Sequence, residues 1–209
     1  METLHPSIAT VMAYLLGSLS FAVLVTRAMG MADPRSYGSK NPGATNVLRS
    51  GNKKAAVLTL LLDAVKGWLP VFVVKVWGSA LGWGEGTLAL VGLAAFVGHL
   101  FPIFFRFQGG KGVATAAGVV IGFEPLLGLV SLLIWLMVAY FFRYSSLAAI
   151  TTAVLTPVLY FLGHPVIWIA PNAVILSLAT IGLLLIWRHA ANINRLLAGT
   201  ESKIGTKKP

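Results

Sequence analysis

Seven apolar stretches dominate the sequence, and they restrict the folds open to this chain more than any other feature. They cover residues 8–25, 55–77, 88–105, 113–123, 126–142, 147–162 and 166–187. A helix needs roughly 20 mostly apolar residues to cross the hydrocarbon core of a bilayer, and all stretches but the fourth approach or reach that length. The sequence therefore predicts an all-α, polytopic integral membrane helical bundle of about seven transmembrane segments, organised as a single domain over residues 1–209.

The composition fits a lipid environment. Hydrophobic residues make up 57% of the chain, charged residues only 11%, and the mean hydropathy is +0.83, whereas soluble domains carry about 25% charged residues. The chain has no cysteine, which excludes disulfides, thiolate metal ligands and a thioester intermediate. A net charge of +10 would also suit a nucleic-acid-binding protein, so the location of the basic residues decides between nucleic acid and anionic lipid.

The basic residues occupy alternate connections between the apolar stretches. Connection 27–54 carries six Lys or Arg, 106–112 carries two, 142–145 carries one, and the tail after Trp187 carries five. The other connections contain Glu85 and Glu124 but no basic residue. Because basic residues stay on the cytoplasmic side, this alternation predicts an outside N-terminus and a cytoplasmic C-terminus. Membrane lipid is the expected partner of this charge, and neither nucleic acid nor an obligate protein partner is inferred.

Two features inside the apolar stretches have more than one interpretation. Residues 113–123 are short, so a tilted span, a re-entrant segment and a buried helix all fit, although seven crossings give the cleanest alternation of charge. Lys66 lies at mid-membrane, where a lysine costs about 2.5–3.5 kcal/mol. Asp63, three residues earlier, shares its helix face, and we expect the two to pair either as a contact between helices or as an active-site wall. Lys75 is near the outer end of the same helix and can reach the interface.

The first basic connection has the composition of an anion-binding site, rich in glycine, hydroxyl, amide and guanidinium groups between residues 33 and 49. Gly38 and Gly43 allow positive φ, and a turn at Pro42 would let a helix begin at Ala44 with its N–H groups towards a ligand. The side chains expected to bind phosphate are Ser39, Thr45 and Arg49. A solvated basic loop is the alternative.

A second polar cluster, with His99 and the run Gly109-Gly-Lys-Gly112, lies where the third stretch meets the cytoplasm. A Walker A motif would need glycine at position 105 and Ser or Thr after Lys111, but these positions are Phe and Gly, which excludes a nucleotide triphosphatase of that type. We expect the turn and Lys111 to bind a phosphate or carboxylate, unless the segment is a flexible hairpin. His99 is either a packing residue or a group that orients a hydroxyl or accepts its proton.

A third cluster follows the last stretch and ends at Glu201. Arg188, Asn192 and Arg195 recur at helical spacing and share one face. They either line the same site or form a basic helix that binds anionic lipid. Glu201 is the only acid of the tail, and we expect it to pair with an arginine. No residue pattern indicates a metal site.

Together, the three clusters resemble the PlsY family of bacterial acyl-phosphate glycerol-3-phosphate acyltransferases. The resemblance rests on Gly38-Ser-Lys-Asn-Pro-Gly-Ala-Thr-Asn-Val-Leu-Arg49, on Gly98-His with Gly109-Gly-Lys-Gly-Val-Ala-Thr115, and on Arg188 to Glu201, in this order along the whole chain. It implies acyl transfer from acyl-phosphate to the 1-hydroxyl of glycerol 3-phosphate, giving lysophosphatidic acid and phosphate for phospholipid synthesis, without a cofactor. It also implies the bacterial cytoplasmic (inner) membrane, with the active site on its cytoplasmic face.

The resemblance further implies roles for individual residues. His99, Ser39 and Lys111 would be catalytic, and His99 would orient the glycerol hydroxyl or accept its proton. The residues that would bind the phosphates are Ser39, Asn41, Thr45, Arg49, Gly109, Gly110, Lys111, Gly112 and Asn192. Because acyl-phosphate is an activated anhydride, alignment and charge neutralisation suffice. Two alternatives stay open, an acyl-carrying Ser39 and a substrate phosphate oxygen as the proton acceptor.

The sequence does not fit two other functional classes as well. Other glycerol phosphate acyltransferases use a histidine followed five residues later by aspartate, but positions 10, 104, 169 and 194 are Thr, Phe, Ile and Asn. A membrane carrier for organic phosphates is the alternative function. A carrier usually has related halves and a site near the midplane, whereas this sequence has no internal repeat and its polar clusters fall at one face.

Overall fold

The computed structural model describes residues 5–205, and within that range all regular structure is helical. The all-α fold predicted from the sequence is therefore confirmed. The α-helices of this range are α1 Pro6–Gly17, α2 Phe21–Ala28, α3 Ala44–Leu48, α4 Lys53–Trp77, α5 Glu85–Leu100, α6 Val113–Phe123, α7 Pro125–Phe142, α8 Ser145–Leu162, α9 Asn172–Arg188 and α10 Ala190–Leu197.

Every predicted apolar stretch contains a helix. By length and composition α4, α7, α8 and the α5 region extended to Phe105 are each able to cross a membrane. Two bent pairs reach that standard when each pair is taken as one segment, α1 with α2 at 45° and α9 with α10 at 57°. Helix α6 is apolar but shorter. The order of the elements is as predicted, while seven complete crossings and the orientation of the termini stay predictions.

The unbroken hydropathy of the first stretch suggested one continuous helix, but the stretch forms two. Helix α1 ends at Gly17 and α2 begins at Phe21. A Cβ on Gly17 would overlap the Ala95 carbonyl, so α1 packs backbone to backbone on α5 up to the break. The freed carbonyl of Leu19 accepts a hydrogen bond of 2.6 Å from Lys66 Nζ. Irregular backbone at membrane depth needs such partners, and a buried cation here provides one.

The seventh stretch also begins later than predicted. Residues 166–171 are not helical, and α9 starts at Asn172 directly after Pro171. Trp168 donates its Nε1–H to the Tyr160 carbonyl at 2.8 Å, and the two rings stack with centroids 5.9 Å apart. These contacts hold the segment against the end of α8 as a loop. Of its apolar side chains, Trp168 and Ala170 pack against the protein, whereas Val166, Ile167 and Ile169 are exposed.

Helices α4, α5 and α6 form the centre of the bundle. A Cβ on Gly67 of α4 would overlap the Thr115 carbonyl, and one on Gly118 of α6 would overlap the Ala64 carbonyl. Small residues at such crossings let two backbones approach closely, as is common between membrane helices. At the far end Lys75 Nζ donates to the Phe123 carbonyl at 2.6 Å, and so caps α6. This packing sets the last turn of α5 beside the first turn of α6.

Candidate active site

The connection between α2 and α4 is organised by a buried asparagine that the sequence analysis missed. Asn46 is 2% exposed. Its Nδ2 donates to the carbonyls of Pro34 and Tyr37 at 2.7 and 3.2 Å, and its Oδ1 accepts from the Ser39 N–H at 2.9 Å. A buried amide with all these partners fixes the path of the chain. Gly38 has φ +58°, and a Cβ there would overlap Asn46 Oδ1, so this turn requires glycine.

Helix α3 begins at Ala44 with Gly43 as its N-cap, as predicted. The positive φ expected at Gly43 is wrong, because its φ is −156° and the backbone is extended. Lys40 has the positive φ instead, at 56°. The lack of a side chain at Gly43 matters for space, since a Cβ would lie 3.0 Å from Asn41 Nδ2. Ser39 is exposed and Asn41 partly buried, so both can reach a ligand from solvent.

The exposed side chains of α3 and its C-cap contact distant parts of the chain. Thr45 Oγ1 lies 3.5 Å from Ser145 Oγ at the start of α8. Arg49 donates from Nη2 to Ser202 Oγ at 2.8 Å. The first predicted cluster is therefore in direct contact with the tail that contains the third.

Residues Gly109–Gly112, called here the glycine loop, pass close to the end of α5. A Cβ on Gly109 would overlap the His99 and Leu100 carbonyls, and one on Gly110 would overlap His99 Nε2. Gly112 has φ +87° and abuts the Phe96 ring. The loop is thus a tightly packed turn rather than a flexible hairpin.

Arg188 at the end of α9 holds the glycine loop from the other side. It donates from Nη2 to the Gly109 and Gly110 carbonyls at 2.9 and 3.0 Å. One turn further, Asn192 Oδ1 accepts from Lys111 Nζ at 2.5 Å. Arg188 and Asn192, which were predicted to share one helix face, therefore both contact the second cluster.

Glu201 closes the same region from the tail. Its Oε2 accepts from Arg195 Nε at 2.6 Å, which confirms the expected pairing with an arginine. Its Oε1 accepts from Asn192 Nδ2 at 2.6 Å and from Ser146 Oγ at 2.7 Å. Burial alone would raise the pKa of Glu201, but the three hydrogen bonds outweigh it and hold the pKa below its usual value.

Lys111 sits in a strongly positive environment. Burial is the main cause that lowers its pKa to about 8, and the charges of Arg195, Arg49 and Arg188 lower it further, while Glu201 raises it. Four cations with one carboxylate among them leave a net positive charge at this end of the bundle. An anionic ligand would be attracted there and would raise the pKa of Lys111 again.

His99 lies beneath the glycine loop and is 7% exposed. Its Nδ1 is 3.1 Å from Thr115 Oγ1 and 3.6 Å from Asp63 Oδ1. Asp63 Oδ1 is also 2.8 Å from Lys66 Nζ, which confirms the predicted pair. A histidine and an aspartate are therefore neighbours in space although no aspartate follows a histidine by five residues. Sequence spacing within one segment gave no sign of this contact, because α4 supplies the aspartate and α5 the histidine.

The residues predicted for the site gather at one end of the bundle, although they are not all in contact. Lys111, Asn192 and Glu201 form a continuous set of hydrogen bonds. The first connection approaches the glycine loop at Pro42, whose carbonyl would be 3.0 Å from a Cβ on Gly110. Within residues 5–205, the Ser39 side chain makes no hydrogen bond to the rest of the set. The arrangement offers cations and amides to phosphate groups beside one imidazole.

Comparison with known proteins agrees with this arrangement. Residues 7–199 match the family model described as glycerol-3-phosphate acyltransferase. The chain is 59% identical over 207 residues to the glycerol-3-phosphate acyltransferase of Albidiferax ferrireducens, and the alignment covers 99% of this chain and 92% of that protein. It is 61% identical over 206 residues to that of Burkholderia thailandensis, with 96% of each chain covered.

Crystal structures of PlsY, an integral membrane glycerol 3-phosphate acyltransferase, have the same fold. The glycerol 3-phosphate form gives a TM-score of 0.87 at 42% sequence identity, with 96% of each chain covered. The lysophosphatidic acid form gives 0.86 at 40% identity, with the same coverage. Likeness in sequence and in fold over nearly the entire length leads to one assignment. This chain belongs to the PlsY family of integral membrane glycerol-3-phosphate acyltransferases.

Proposed function

We propose that this acyltransferase takes its acyl group from acyl-phosphate and transfers it to the 1-hydroxyl of glycerol 3-phosphate. The products are lysophosphatidic acid and inorganic phosphate. The observation that carries the proposal is the position of Lys111, in a glycine loop and near enough to three arginines for their charges to lower its pKa, with His99 Nε2 directly beneath Gly110. Both proposed substrates carry phosphate, and one must lose a proton from a hydroxyl. The two PlsY crystal structures are a glycerol 3-phosphate form and a lysophosphatidic acid form, and these compounds are the proposed acceptor and product.

The proposed reaction is a direct transfer. The glycerol hydroxyl oxygen attacks the acyl carbonyl carbon, the bond from that carbon to the phosphate oxygen breaks, and phosphate leaves. The hydroxyl proton passes to His99 Nε2 or to a phosphate oxygen of the substrate. Lys111, Arg49 and Asn192, with the amides of the glycine loop, hold the phosphates and neutralise the charge that grows on the leaving group. Ser39, Asn41 and Thr45 complete the binding surface on the first connection.

An acyl-Ser39 intermediate is less well supported than direct transfer. A serine nucleophile needs a base within hydrogen-bond reach. Between residues 5 and 205, no hydrogen bond joins the Ser39 side chain to a histidine, and Ser39 is exposed while His99 is buried. The anhydride already supplies a good leaving group, so alignment of the two substrates is the main task of the protein.

We further propose that the enzyme resides in the bacterial cytoplasmic membrane with the site on the cytoplasmic face. Fourteen of the sixteen Lys and Arg residues fall in the connections assigned to that side. The site lies at the same end as those connections. Glycerol 3-phosphate, being charged, would reach it from the aqueous phase, and the acyl chain would come from the bilayer.

The experiment that tests this function measures phosphate release from palmitoyl-phosphate by purified protein, with and without glycerol 3-phosphate. We expect release to require glycerol 3-phosphate and to fall about 100-fold or more in Lys111→Ala and His99→Ala. Lys54→Ala, an exposed lysine on α4, is the matched control and should retain wild-type turnover. Folded wild-type protein without glycerol-dependent release would contradict the proposal, as would equal losses in Lys54→Ala and Lys111→Ala.

A further inference from the structure

The end of the bundle away from the candidate active site contains a cavity of about 350 Å³ that opens to the outside. It lies among the end of α4, the start of α5, the junction of α6 with α7, the end of α8 and the start of α9. Its volume falls in the range of ligand pockets, roughly 300–1,000 Å³. No residue assigned to the candidate active site lines it, so the two are separate.

Four polar side chains from different segments line this cavity. Lys75 comes from the last turn of α4, Glu85 from the first turn of α5, Glu124 from the junction of α6 with α7 and Tyr160 from α8. Among the described residues, neither carboxylate forms an ion pair. The Lys75 ammonium is already engaged, since its Nζ donates at 2.6 Å to a carbonyl at the end of α6. The cavity therefore presents two carboxylates that no cation of the described chain pairs with.

The helix dipoles explain why acids are found at these two positions, but not why both side chains border one cavity. Negative charge is favourable at helix N-termini. Glu85 lies in the first turn of α5, and Glu124 is the N-cap of α7, where its Oε1 accepts from the Leu126 N–H at 3.4 Å. That cap is a long hydrogen bond and occupies one oxygen of one carboxylate. The other oxygens are available to a cation in the cavity.

Tyr160 adds a buried hydroxyl that is poorly satisfied. The residue is 3% exposed and lines the cavity. Its hydroxyl donates to the Ile169 carbonyl at 3.4 Å, beyond the roughly 2.5–3.0 Å that is usual for a hydrogen bond between oxygens. A primary ammonium has three N–H donors and no acceptor, and a phenol oxygen accepts as well as it donates. Two carboxylates and one phenol oxygen are therefore a suitable set of acceptors for an ammonium group.

The surroundings of the cavity favour a lipid over a free amine. Trp83 lines the cavity, and Trp77 at the end of α4 is 52% exposed. Tryptophans are enriched at the level of the lipid headgroups, and their ring faces attract cations. Ile169 also lines the cavity and is 71% exposed, so it offers apolar surface to acyl chains beside the opening. A ligand with an ammonium group and acyl chains would use all of these features.

We propose that this cavity binds the headgroup of a phospholipid with a primary ammonium group, of the phosphatidylethanolamine class. The ammonium lies between the carboxylates of Glu85 and Glu124 and beside the Tyr160 hydroxyl, and the acyl chains follow the apolar surface at Ile169. The site does not depend on the proposed function, because it lies at the opposite end of the bundle and its lipid is neither substrate nor product there.

The test is native mass spectrometry of the purified protein in detergent, titrated with phosphatidylethanolamine or with phosphatidylglycerol of the same acyl chains. We expect the first ethanolamine lipid to bind about tenfold more tightly, the factor that one charge-assisted hydrogen bond supplies. Glu85→Gln and Glu124→Gln each remove a negative charge and keep the shape of the side chain. Each should reduce binding of the ethanolamine lipid to about the level of phosphatidylglycerol.

Asp33→Asn is the matched control, because it also removes one carboxylate but lies on the connection between α2 and α4, at the other end of the bundle. It should bind the ethanolamine lipid as the wild type does. Equal binding of the two lipids by the wild type would overturn the proposal, and so would an equal loss in Asp33→Asn. If Glu124→Gln lowers the melting temperature, Glu85→Gln still carries the test, since its side chain caps no helix.

A soluble competitor distinguishes a lipid from a free amine. Glycerophosphoethanolamine has the same headgroup without acyl chains, and we expect it to compete only weakly. Competition as strong as that of the intact lipid would overturn the assignment to a lipid and make a soluble amine the ligand. Glu85→Gln and Glu124→Gln should release phosphate from palmitoyl-phosphate as the wild type does. Loss of lipid binding with full turnover, or the reverse, therefore separates this proposal from the proposed function.

Discussion

Lys111 is the cation of the proposed site whose charge is most open to change with pH. Burial and three neighbouring arginines bring its pKa down from 10.5 to about 8. A lysine holds phosphate as a charge only when it is protonated, and a lowered pKa means that the proton is present well below pH 8 and lost as the pH rises through 8. Binding of the glycerol 3-phosphate phosphate should therefore weaken as the pH rises within the experimentally accessible range.

We expect kcat/KM for glycerol 3-phosphate to fall about tenfold per pH unit above roughly pH 8, since this parameter reports groups of the free enzyme. The measurement is a pH profile of phosphate release with palmitoyl-phosphate in excess. Lys111→Arg is the control, because a guanidinium stays protonated throughout this range. An identical alkaline decline in Lys111→Arg would assign the loss to another group.

At the residue scale, the sequence predicted the chemistry of the site better than its geometry. Arg49, Lys111 and Asn192 stand out because cations and amides beside glycines are typical of phosphate sites. Asn46 gave only a weak signal, an amide in the first turn of a short helix, and its partners lie on the preceding loop. The contact of Asp63 with His99 depends on how α4 and α5 are rotated against each other, which one sequence does not determine.

At the scale of helices, the crossing of α4 and α6 depends on glycine. A Cβ on Gly118 would overlap the Ala64 carbonyl. We expect Gly118→Ala to destabilise the protein by about 1–3 kcal/mol, the usual cost of overpacking. The measurement is the melting temperature of the purified protein in one detergent.

The matched control for this substitution is Gly86→Ala. Gly86 lies in the first turn of α5, and a Cβ there would have no neighbour within 4 Å. Its melting temperature should equal or slightly exceed that of the wild type, because alanine favours a helix over glycine. A Gly118→Ala protein that melts as high as Gly86→Ala would mean that the crossing of α4 and α6 tolerates a methyl group.

The sequence predicted which segments are helical but not where a helix is interrupted. Residues 18–20 contain neither proline nor glycine, so hydropathy alone predicts one uninterrupted helix across them. The break depends on Gly17 against Ala95 and on Lys66 at the Leu19 carbonyl, two contacts with other helices. The late start of α9 likewise depends on Trp168 stacking on Tyr160. Interruptions of this kind are tertiary effects, which local pattern does not contain.

At the scale of the whole molecule, the charge pattern leads to a direct test of orientation. The chain lacks cysteine, so single-cysteine variants can be labelled in intact cells without further engineering. We expect Ser79→Cys to react with a membrane-impermeant maleimide from outside, and Ser50→Cys to react only after permeabilisation; both positions are exposed. The opposite pattern would reverse the orientation.

The same approach decides whether α6 crosses the membrane. Leu126, at the start of α7, is 47% exposed and follows α6 directly. If α6 is a complete span, Leu126→Cys is labelled from outside together with Ser79→Cys. Labelling only after permeabilisation would make α6 re-entrant and leave six crossings, which the alternation of basic residues does not favour.

The hydrogen bonds from Arg188 to the carbonyls of Gly109 and Gly110 have a consequence for the order in which the site is completed during synthesis. The loop is held by a side chain that comes 79 residues after Gly109 in the sequence, and Asn192 and Glu201 follow later still. A partly made chain already inserted in the bilayer thus carries the loop and the histidine but lacks the residues that hold them in order. We therefore expect a chain made only as far as α8 to leave the glycine loop without its shape and to bind no phosphate there.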